Sequence, residues 1–345
     1  MKNTIKLVTI PEFFLGIDVG KADLFCHILS PLACHSAQFT NTIPGIMKLI
    51  DWVKTHADFS KTSACLEQTG HYGKLVSKAL FNAQLEAIYL VNPRRIKAYG
   101  NQKLRRNKSD TADAKLIANF LRSEHHDLIQ WCPQSLDREE LTELSRYADS
   151  ITHDAARLKT KCEAVSASPI LRSLKRRIKF LEKELLDTRK RITVLIKKSD
   201  GLSSQQKLLS STPGIGEITQ HILLAELPDI HLFKNARQLA AWAGLTPQHY
   251  ESGTSGRTQT PITKIGSSIL RKALFMPAMT ARNNNPLLKE FGDRLQKNGK
   301  KPKQIIIAIM RKLLHQIYGI LKSNQPFNPN KKGFKIAPKL EEIRA

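Results

Sequence analysis

Two carboxylates three residues apart, Asp110 and Asp113, stand where a basic segment meets the start of an amphipathic helix. Residues three apart lie on one side of a helix, so both side chains point the same way. Such a pair repels unless a cation or a proton lies between the two groups. Beside a segment that attracts phosphates, the pair indicates metal ions acting on nucleic acid. The basic residues of that segment are Arg94, Arg95, Lys97, Lys103, Arg105, Arg106 and Lys108.

A structural role explains the same two aspartates. Aspartate at an N-cap or in the first turn of a helix is stabilised by the helix dipole. Either Ser109 or Asp110 is suited to cap this helix. Taken alone, the segment leaves the structural and the metal-binding interpretations open.

The composition indicates a folded protein with polyanionic partners. The 345 residues include 55 Lys and Arg against 30 Asp and Glu, a formal net charge of +25, and 41% are hydrophobic. This length predicts two or three domains, and the charge favours nucleic acid. No apolar run approaches the ~20 residues that span a bilayer, and no signal peptide is recognisable, so we expect a cytoplasmic protein without a membrane partner. Five scattered cysteines argue against a zinc site or a disulfide framework.

The first part of the chain predicts an α/β domain, a mixed sheet flanked by helices. Short apolar runs bounded by turn residues indicate strands, and 3.6-residue spacing indicates helices. The predicted order is strands at Phe13–Val19, Asp23–Leu29 and 38–41, a helix at Ile43–His56, a strand at 63–68, a helix at 72–81, a strand at Ala87–Val91, and a helix from Asp110.

Two further acids, Asp18 and Glu67, lie at the ends of predicted strands. An acid on an apolar strand is costly to bury unless it is paired or metal-bound, although Asp18 is also placed to cap its strand. Parallel neighbouring strands bring such ends together, and the helix from Asp110 can lie over them. Hard oxygen ligands in this number suit Mg²⁺ or Mn²⁺.

Three segments, GIDVGK, CLEQTGHYG and RRNKSDTADAKLIA, resemble the acidic blocks of the DEDD transposases related to the Piv-type DNA invertases. The resemblance implies a ribonuclease-H-like N-terminal domain, similar to the RuvC-like Holliday-junction resolvases. It maps Asp18, Glu67, Asp110 and Asp113 onto the metal-binding tetrad of that family. Nucleic-acid contacts are then expected at Arg94, Arg95, Arg105, Arg106 and Lys108.

From residue 135 to about 199 the pattern changes to long helix, with a break expected at Pro169. Roughly heptad spacing after the break favours an antiparallel helical hairpin or a dimerising coiled coil, and members of the family have a coiled coil here. Exposed basic residues, among them Lys175, Arg176 and Arg177, predict nucleic-acid contact, although a charged helix face is often only solvated.

Residues 200–204 look like a linker to a mostly helical C-terminal domain. PGIG at 213–216 lies between two apolar helical stretches and indicates either a helix-hairpin-helix phosphate contact or a plain helix corner. Further helices are expected at 236–243 and 304–321.

Residues 248–274 are rich in Gly, Ser and Thr, which by composition predicts a surface loop. The sequence AGLTP, followed by SG, ITK-x-G and LR, resembles the C-terminal transposase domain of the same family. That resemblance makes Ser252 the nucleophile, with Ser255 as the competing candidate because TSGRTQTP replaces a more basic run. Nucleic-acid contacts are expected at Arg257, Lys264 and Arg271.

The predicted organisation has five parts: an N-terminal extension at 1–12, the RuvC-like domain at 13–130, the coiled-coil region at 131–200, the transposase domain at 201–323 and a basic tail at 324–345. The resemblance implies a recombinase of an insertion sequence that cleaves and rejoins DNA through a phosphoserine intermediate. It also implies a structured noncoding guide RNA and a dimer or tetramer. The alternatives are a metal-dependent junction nuclease, a DNA invertase of the same family, and an inert nucleic-acid-binding protein.

Overall fold

The protein is described from a computed structural model, which covers residues 11–68, 70, 72–102, 109–247 and 261–330. The chain divides into two compact units, residues 1–133 and 134–345. Each unit has its own hydrophobic contacts and is described by itself.

The N-terminal unit combines five strands with four helices. In chain order these are β1 (Phe13–Val19), β2 (Asp23–Leu29), β3 (Cys34–Thr40), α1 (Ile43–His56), β4 (Thr62–Glu67), α2 (Gly73–Asn82), β5 (Ala87–Val91), α3 (Pro93–Gln102) and α4 (Asp110–Glu124). Short 3₁₀ turns precede β4 and follow α4.

The five strands form one mixed sheet in the order β3-β2-β1-β4-β5. The pairs β1–β2 and β2–β3 are antiparallel, whereas β1–β4 and β4–β5 are parallel. In the parallel pair, Ile17 lies opposite Leu66, so the next residue of each strand, Asp18 and Glu67, lies at the same edge of the sheet. Such a carboxyl-terminal edge is where open sheets of this kind carry their sites.

Side chains of β1 point alternately to the two faces of the sheet, and each face has its own core layer. Leu15 and Ile17 are fully buried on the face that packs against α1 and α2. Phe14 lies on the opposite face, in a second cluster that includes Ile117 and Leu121 of α4. Since side chains alternate along a strand, Gly16 and Asp18 belong to the face covered by α4.

The observed elements confirm most of the order predicted for this unit, with one helix missing. The bounds of β1, β2, α1 and β5 are those expected, and β3 is longer, at Cys34–Thr40. Helix α3 is not among the predicted elements, because its residues stand out in the sequence as a basic segment. Pro93 at its first position and the buried side chain of Ile96 explain why the helix forms there.

The C-terminal unit is built from helices. They are α5 (Leu136–Ala164), α6 (Ser168–Lys198), α7 (Asp200–Ser210), α8 (Glu217–Glu226), α9 (Ala236–Trp242), α10 (Ser268–Asn284), α11 (Pro286–Lys297) and α12 (Pro302–Ser323). The predicted break between two long helices is confirmed, because α5 ends at Ala164 and Pro169 lies in the first turn of α6.

Helices α5 and α6 pack against each other as an antiparallel hairpin. The Tyr147 hydroxyl donates to the Glu184 carboxylate at 3.4 Å, and Lys159 Nζ lies 2.7 Å from Glu182 Oε1. The earlier residue of α5 pairs with the later residue of α6, as an antiparallel arrangement requires. The hairpin fits the predicted repeat, and a coiled coil between protomers stays a prediction.

Two loop predictions in this unit are wrong. Residues 200–204 do not form a linker but begin α7, which buries Leu202 and Leu209. Residues 268–274 are not loop but the first turns of α10, where the Ser267 side chain caps the helix and Leu270 and Leu274 are buried. In both segments the Gly and Ser residues indicate a loop, whereas the apolar residues at helical spacing belong to a helix.

Helix α12 lies at the centre of the C-terminal unit, in contact with α7, α9, α10 and α11. The Asn285 side chain donates to the buried Gln316 amide at 2.9 Å, and the Tyr318 hydroxyl donates to the Phe233 carbonyl at 3.1 Å. Within the described residues, α12 is the one helix whose length and apolar character suit a membrane span. Core helices of soluble proteins have the same length and apolar character, and 44% of the most apolar stretch of α12 is buried in the unit.

Candidate metal centre

Three carboxylates from distant parts of the sequence converge in the N-terminal unit. Asp18 of β1 and Asp110 and Asp113 of α4 each place a carboxylate oxygen so that all three lie within 4.8 Å of one another. Asp18 and Asp113 are partly buried, whereas Asp110 is exposed. The group is therefore open to solvent on one side and enclosed on the other.

Close packing between β1 and α4 brings these acids together. A Cβ on Gly16 would overlap the Ala114 carbonyl and the Ala118 amide, and would stand 2.9 Å from the Ala118 Cβ. Asp110, Ala114 and Ala118 are spaced four residues apart, so they share one face of α4. Because Gly16 and Asp18 share one face of β1, the contact that holds the middle of the helix also holds its first turn beside Asp18.

The N-cap of α4 bears on whether Asp110 and Asp113 have a structural or a metal-binding role. The Ser109 side chain accepts from the Ala112 amide at 3.3 Å, so Ser109, and not Asp110, is the N-cap. Asp110 and Asp113 thus have no capping role, although both still lie near the positive end of the helix dipole. What the dipole does not explain is the approach of Asp18 from another element.

Glu67 lies on the same face of the sheet but outside the group of three. It is the partly buried last residue of β4, and its negative charge acts electrostatically on the Cys65 thiol. Burial, and secondarily Glu67, raises the pKa of Cys65, which keeps the thiol neutral. Since Cys65 packs with α4, Glu67 faces that helix too. Its place in a metal site stays a prediction.

The donor set fits a divalent cation that prefers oxygen. Three carboxylates within 4.8 Å carry three formal negative charges, and such charges repel one another without a cation between them. Carboxylate oxygens are the ligands of Mg²⁺ and Mn²⁺, whereas His and Cys, which zinc favours, are not part of the group. The resulting site would leave coordination positions on its solvent side for another oxygen ligand.

Comparison with known proteins decides the family. A transposase family model of the DEDD type matches residues 15–166, and the model described as Transposase IS116/IS110/IS902 family matches residues 206–293. A pilin gene-inverting protein from Moraxella bovis is 33% identical over 91% of this chain and 97% of its own length. The chain belongs to the IS110 family of transposases and DNA invertases. Members of this family are enzymes of DNA recombination, and the family predicted by the acidic blocks is confirmed.

Other similarities are weaker or shorter. The protein from Moraxella lacunata with the same description is 32% identical over 91% of the chain. A 43.6 kDa protein of insertion element IS110 from Streptomyces coelicolor is 30% identical over 33% of the chain and 28% of its own length. RuvC of T. thermophilus, solved with a Holliday junction, aligns over 34% of this chain and 99% of its own, with 13% identity. The TM-score of this alignment is 0.27.

The family match at residues 206–293 contains the predicted nucleophile. Ser252, its competitor Ser255 and the nearby Arg257 lie outside the residues that the structure describes. Lys264 is described, is exposed and has a left-handed backbone with φ of +52°. Arg271 lies on α10, where its Nη1 donates to the carbonyls of Ala243 and Gly266 at 3.0 Å.

The predicted nucleic-acid residues occupy three places. Arg94 and Arg95 are exposed on α3, where Arg95 lies 3.8 Å from Glu124 and over the ring of Phe120. Lys175, Arg176 and Arg177 are exposed on α6. Arg105, Arg106 and Lys108 lie outside the described residues. Sequence reasoning missed the part played by Gly16, although a glycine two residues before Asp18 and alanines at 114 and 118 were visible signals.

Proposed function

We propose that this chain is a metal-dependent DNA recombinase that cleaves and rejoins strands through a phosphoserine intermediate. The observation that carries the proposal is the convergence of Asp18, Asp110 and Asp113 within 4.8 Å in a chain of the transposase family. The order of strands and helices in the N-terminal unit supports its assignment as a RuvC-like domain.

The acids act as ligands and not as nucleophiles. Asp18, Asp110 and Asp113, with Glu67 at the neighbouring strand end, would hold Mg²⁺ or Mn²⁺, which when bound lowers the negative charge on a scissile phosphate. Rigid packing at Gly16 fixes the distance between Asp18 and the first turn of α4. The protein thus supplies a preformed set of oxygen ligands, so little reorganisation accompanies the reaction.

Ser252 would supply the covalent step. Its Oγ forms a bond to phosphorus as the bond from phosphorus to a deoxyribose oxygen breaks, and the seryl proton passes to the leaving hydroxyl. The phosphodiester is thereby kept as a seryl ester, and rejoining reverses the exchange with another DNA hydroxyl. Lys264, exposed a short distance along the chain, is a cation suited to the charge that develops.

Partners follow from charge and family. The net charge of +25 and the exposed basic residues of α3 and α6 support binding of DNA and of a structured noncoding guide RNA. Exposed apolar residues on the hairpin, Phe180, Leu186 and Val194, support a homo-oligomer. RNA recovered with the purified protein tests the guide, because one enriched transcript from beside the gene supports it. A mixture of sizes that washes off in high salt leaves only electrostatic attraction.

Site-specific inversion is the second candidate. The two relatives that match nearly the whole chain are pilin gene-inverting proteins, whereas the IS110 insertion-element protein matches a third of it. A plasmid with two copies of the recombination site in opposite orientation distinguishes the reactions. Reversal of the intervening segment indicates inversion, and integration at a new position indicates transposition.

The experiment that tests the proposal uses end-labelled DNA that flanks the gene. The protein in Mg²⁺ should acquire a label that survives denaturing electrophoresis, and Asp113→Ala should lose it while binding the same DNA. Cleavage that gives free ends and no labelled protein would favour a junction nuclease, in which water attacks. Equal labelling by Asp113→Ala and the parent would remove the acids from the chemistry.

A further inference from the structure

A cluster of cations in the C-terminal unit has no part in the mechanism proposed above. It comprises the cations Arg311 and Lys312 of α12 and Arg237 of α9, together with the neutral imidazole of His315 on α12, and is called the α12 basic cluster. Arg311 and His315 are four residues apart on one face of α12, against which α9 packs. Arg237 is exposed, whereas the three residues of α12 are partly buried. The cluster is therefore partly buried and open to solvent at Arg237.

These side chains are surrounded by like charges. Burial lowers the pKa of Arg311, and Arg237 lowers it further. Burial lowers the pKa of Lys312 as well, with contributions from Arg311, Arg294 and Arg237. The charged groups that shift the pKa values of these two residues are cations. Such an arrangement destabilises the folded unit unless an anion is present.

Two polar atoms of the cluster have no hydrogen-bond partner among the described residues. They are Arg311 Nε and His315 Nε2, and both are shielded from solvent. A buried donor without a partner carries a desolvation cost, so such atoms are rare in folded proteins. A phosphate bound on the side of the exposed Arg237 would offset the repulsion among the cations.

Structural arginines of the same unit are bonded differently. Arg138 donates to the Leu227 carbonyl at 3.1 Å and to the Gln205 amide oxygen at 2.7 Å. Arg271 donates from one nitrogen to two carbonyls. Arg311 has no such bond from Nε, although it is partly buried like Arg271. Arg311 thus differs from Arg138 and Arg271, although Arg282, which donates to the Gln296 amide oxygen at 2.6 Å, also has one buried nitrogen without a partner among the described residues.

An aromatic ring extends the cluster onto α11. Lys312 Nζ and Arg294 Cζ each lie 5.5 Å from the centroid of the Phe291 ring. Cation–π contact of this kind restrains long side chains, so the two cations are held near each other before any ligand binds. Ordered cations lose less conformational freedom when they engage an anion.

We propose that the α12 basic cluster binds a backbone phosphate of nucleic acid. Two helices, α9 and α12, contribute its cations, and a guanidinium matches the geometry of phosphate oxygens. The proposal deepens the proposed function, on which it rests for the choice of nucleic acid as the source of the phosphate. It concerns affinity and not cleavage, so the two are tested apart.

The test measures how affinity depends on salt. Each phosphate neutralised contributes about 0.9 to the slope of log affinity against log salt for duplex DNA. The double variant Arg237→Gln/Arg311→Gln should reduce the slope by about 1 to 2, measured by fluorescence anisotropy with labelled random-sequence DNA duplex and RNA of equal length. Lys303→Gln, an exposed change on the same helix, is the matched control and should leave the slope nearly unchanged.

The outcomes assign the source of the phosphate or refute the site. A reduced slope with DNA alone, RNA alone or both supports a contact to that nucleic acid. The proposal would be overturned if the double variant kept the slope of the parent with both probes. It would also be overturned if Lys303→Gln reduced the slope as much as the double variant does. Asp113→Asn, which removes a metal ligand, should keep the parent slope, so failure of the recombination chemistry does not imitate failure of this site.

Protein stability provides a second readout. Since Arg311 is a desolvated cation with an unpaired donor, Arg311→Leu should melt at or above the temperature of the parent in the absence of nucleic acid. A structural arginine behaves in the opposite way. A melting temperature well below that of the parent, together with parent slopes for Arg237→Gln, would assign the cluster to folding instead of binding.

Discussion

Gly16 of β1 and Ala118 of α4 are in such close contact that a Cβ on Gly16 would stand 2.9 Å from the Ala118 Cβ, inside the ordinary contact distance. The same Cβ would overlap the Ala114 carbonyl and the Ala118 amide. Backbone atoms cannot adopt another rotamer as a side chain can. A substituent on Gly16 must therefore displace helix α4. The distance between Asp18 and the pair Asp110 and Asp113 thus depends on Gly16, which has no functional group of its own.

Gly16→Ala should therefore weaken metal binding without touching a ligand. Overpacking of this kind costs about 1–3 kcal/mol of the free energy of unfolding. Displacement of α4 should also reduce the affinity for Mn²⁺, measured by titration calorimetry, and reduce strand exchange. Gly73→Ala is the matched control, because a Cβ there has no heavy atom within 4 Å. Equal Mn²⁺ affinity in Gly16→Ala and the parent would show that helix position does not control the site.

Much of this arrangement was predictable from the sequence, because the acids lie at the ends of well-marked elements. β1 and α1 have clear apolar patterns, so their bounds and the edge occupied by Asp18 and Glu67 were correctly expected. The group of three was harder to predict, since it depends on how deeply α4 sits on the sheet. That depth is set by Gly16, and the small size of a residue leaves no trace in a hydrophobic pattern.

Helices hidden by polar residues account for most of the wrong predictions. Helices α3 and α7 contain few apolar residues. The basic residues of α3 and the Ser and Gly residues of α7 therefore did not predict helices. Their few buried residues, such as Ile96 and Leu209, are recognised as core only when the partner surface is known. The choice between Ser252 and Ser255 was carried by family resemblance, and local physical chemistry does not separate two serines that each precede a glycine.

Neutralising one acid should separate metal binding from DNA binding. The parent should gain thermal stability on addition of Mn²⁺, because an ion that binds the folded state stabilises it by mass action. Asp110→Asn or Asp113→Asn should lose that gain and abolish strand exchange, since three clustered charges become two. Affinity for DNA should remain, as it arises from Lys and Arg. A full Mn²⁺-dependent shift in both variants would contradict the metal site.

The two candidate serines should behave oppositely in the covalent assay. Ser252→Ala should lose the labelled protein band, because the hydroxyl that attacks phosphorus is gone, whereas Ser255→Ala should keep it. Both variants should retain Mn²⁺ binding, which controls for folding. If the serines exchange behaviour, the nucleophile is Ser255. If neither change matters while cleavage persists, water is the nucleophile.

The pKa of His315 predicts a loss of stability in acid. Burial, followed by Arg311, Lys312 and Arg237, lowers the pKa of this imidazole from 6.5 to about 4. Between these two values the unfolded chain binds the proton more readily than the folded one, so the free energy of unfolding falls as the pH decreases through this window. Well above pH 6.5 the group is neutral in both states and contributes no pH dependence.

His315→Gln should remove this part of the acid sensitivity. Glutamine keeps a polar side chain of similar reach but takes up no proton, so the variant should gain on the parent as the pH falls from about 7 to about 5. Denaturant unfolding at each pH measures the difference. His153→Gln, on the exposed face of α5, is the control for loss of a histidine as such. Parallel pH profiles for the parent and His315→Gln would mean that the cations of α9 and α12 do not act on this imidazole, and would also weaken the case for a common anion among them.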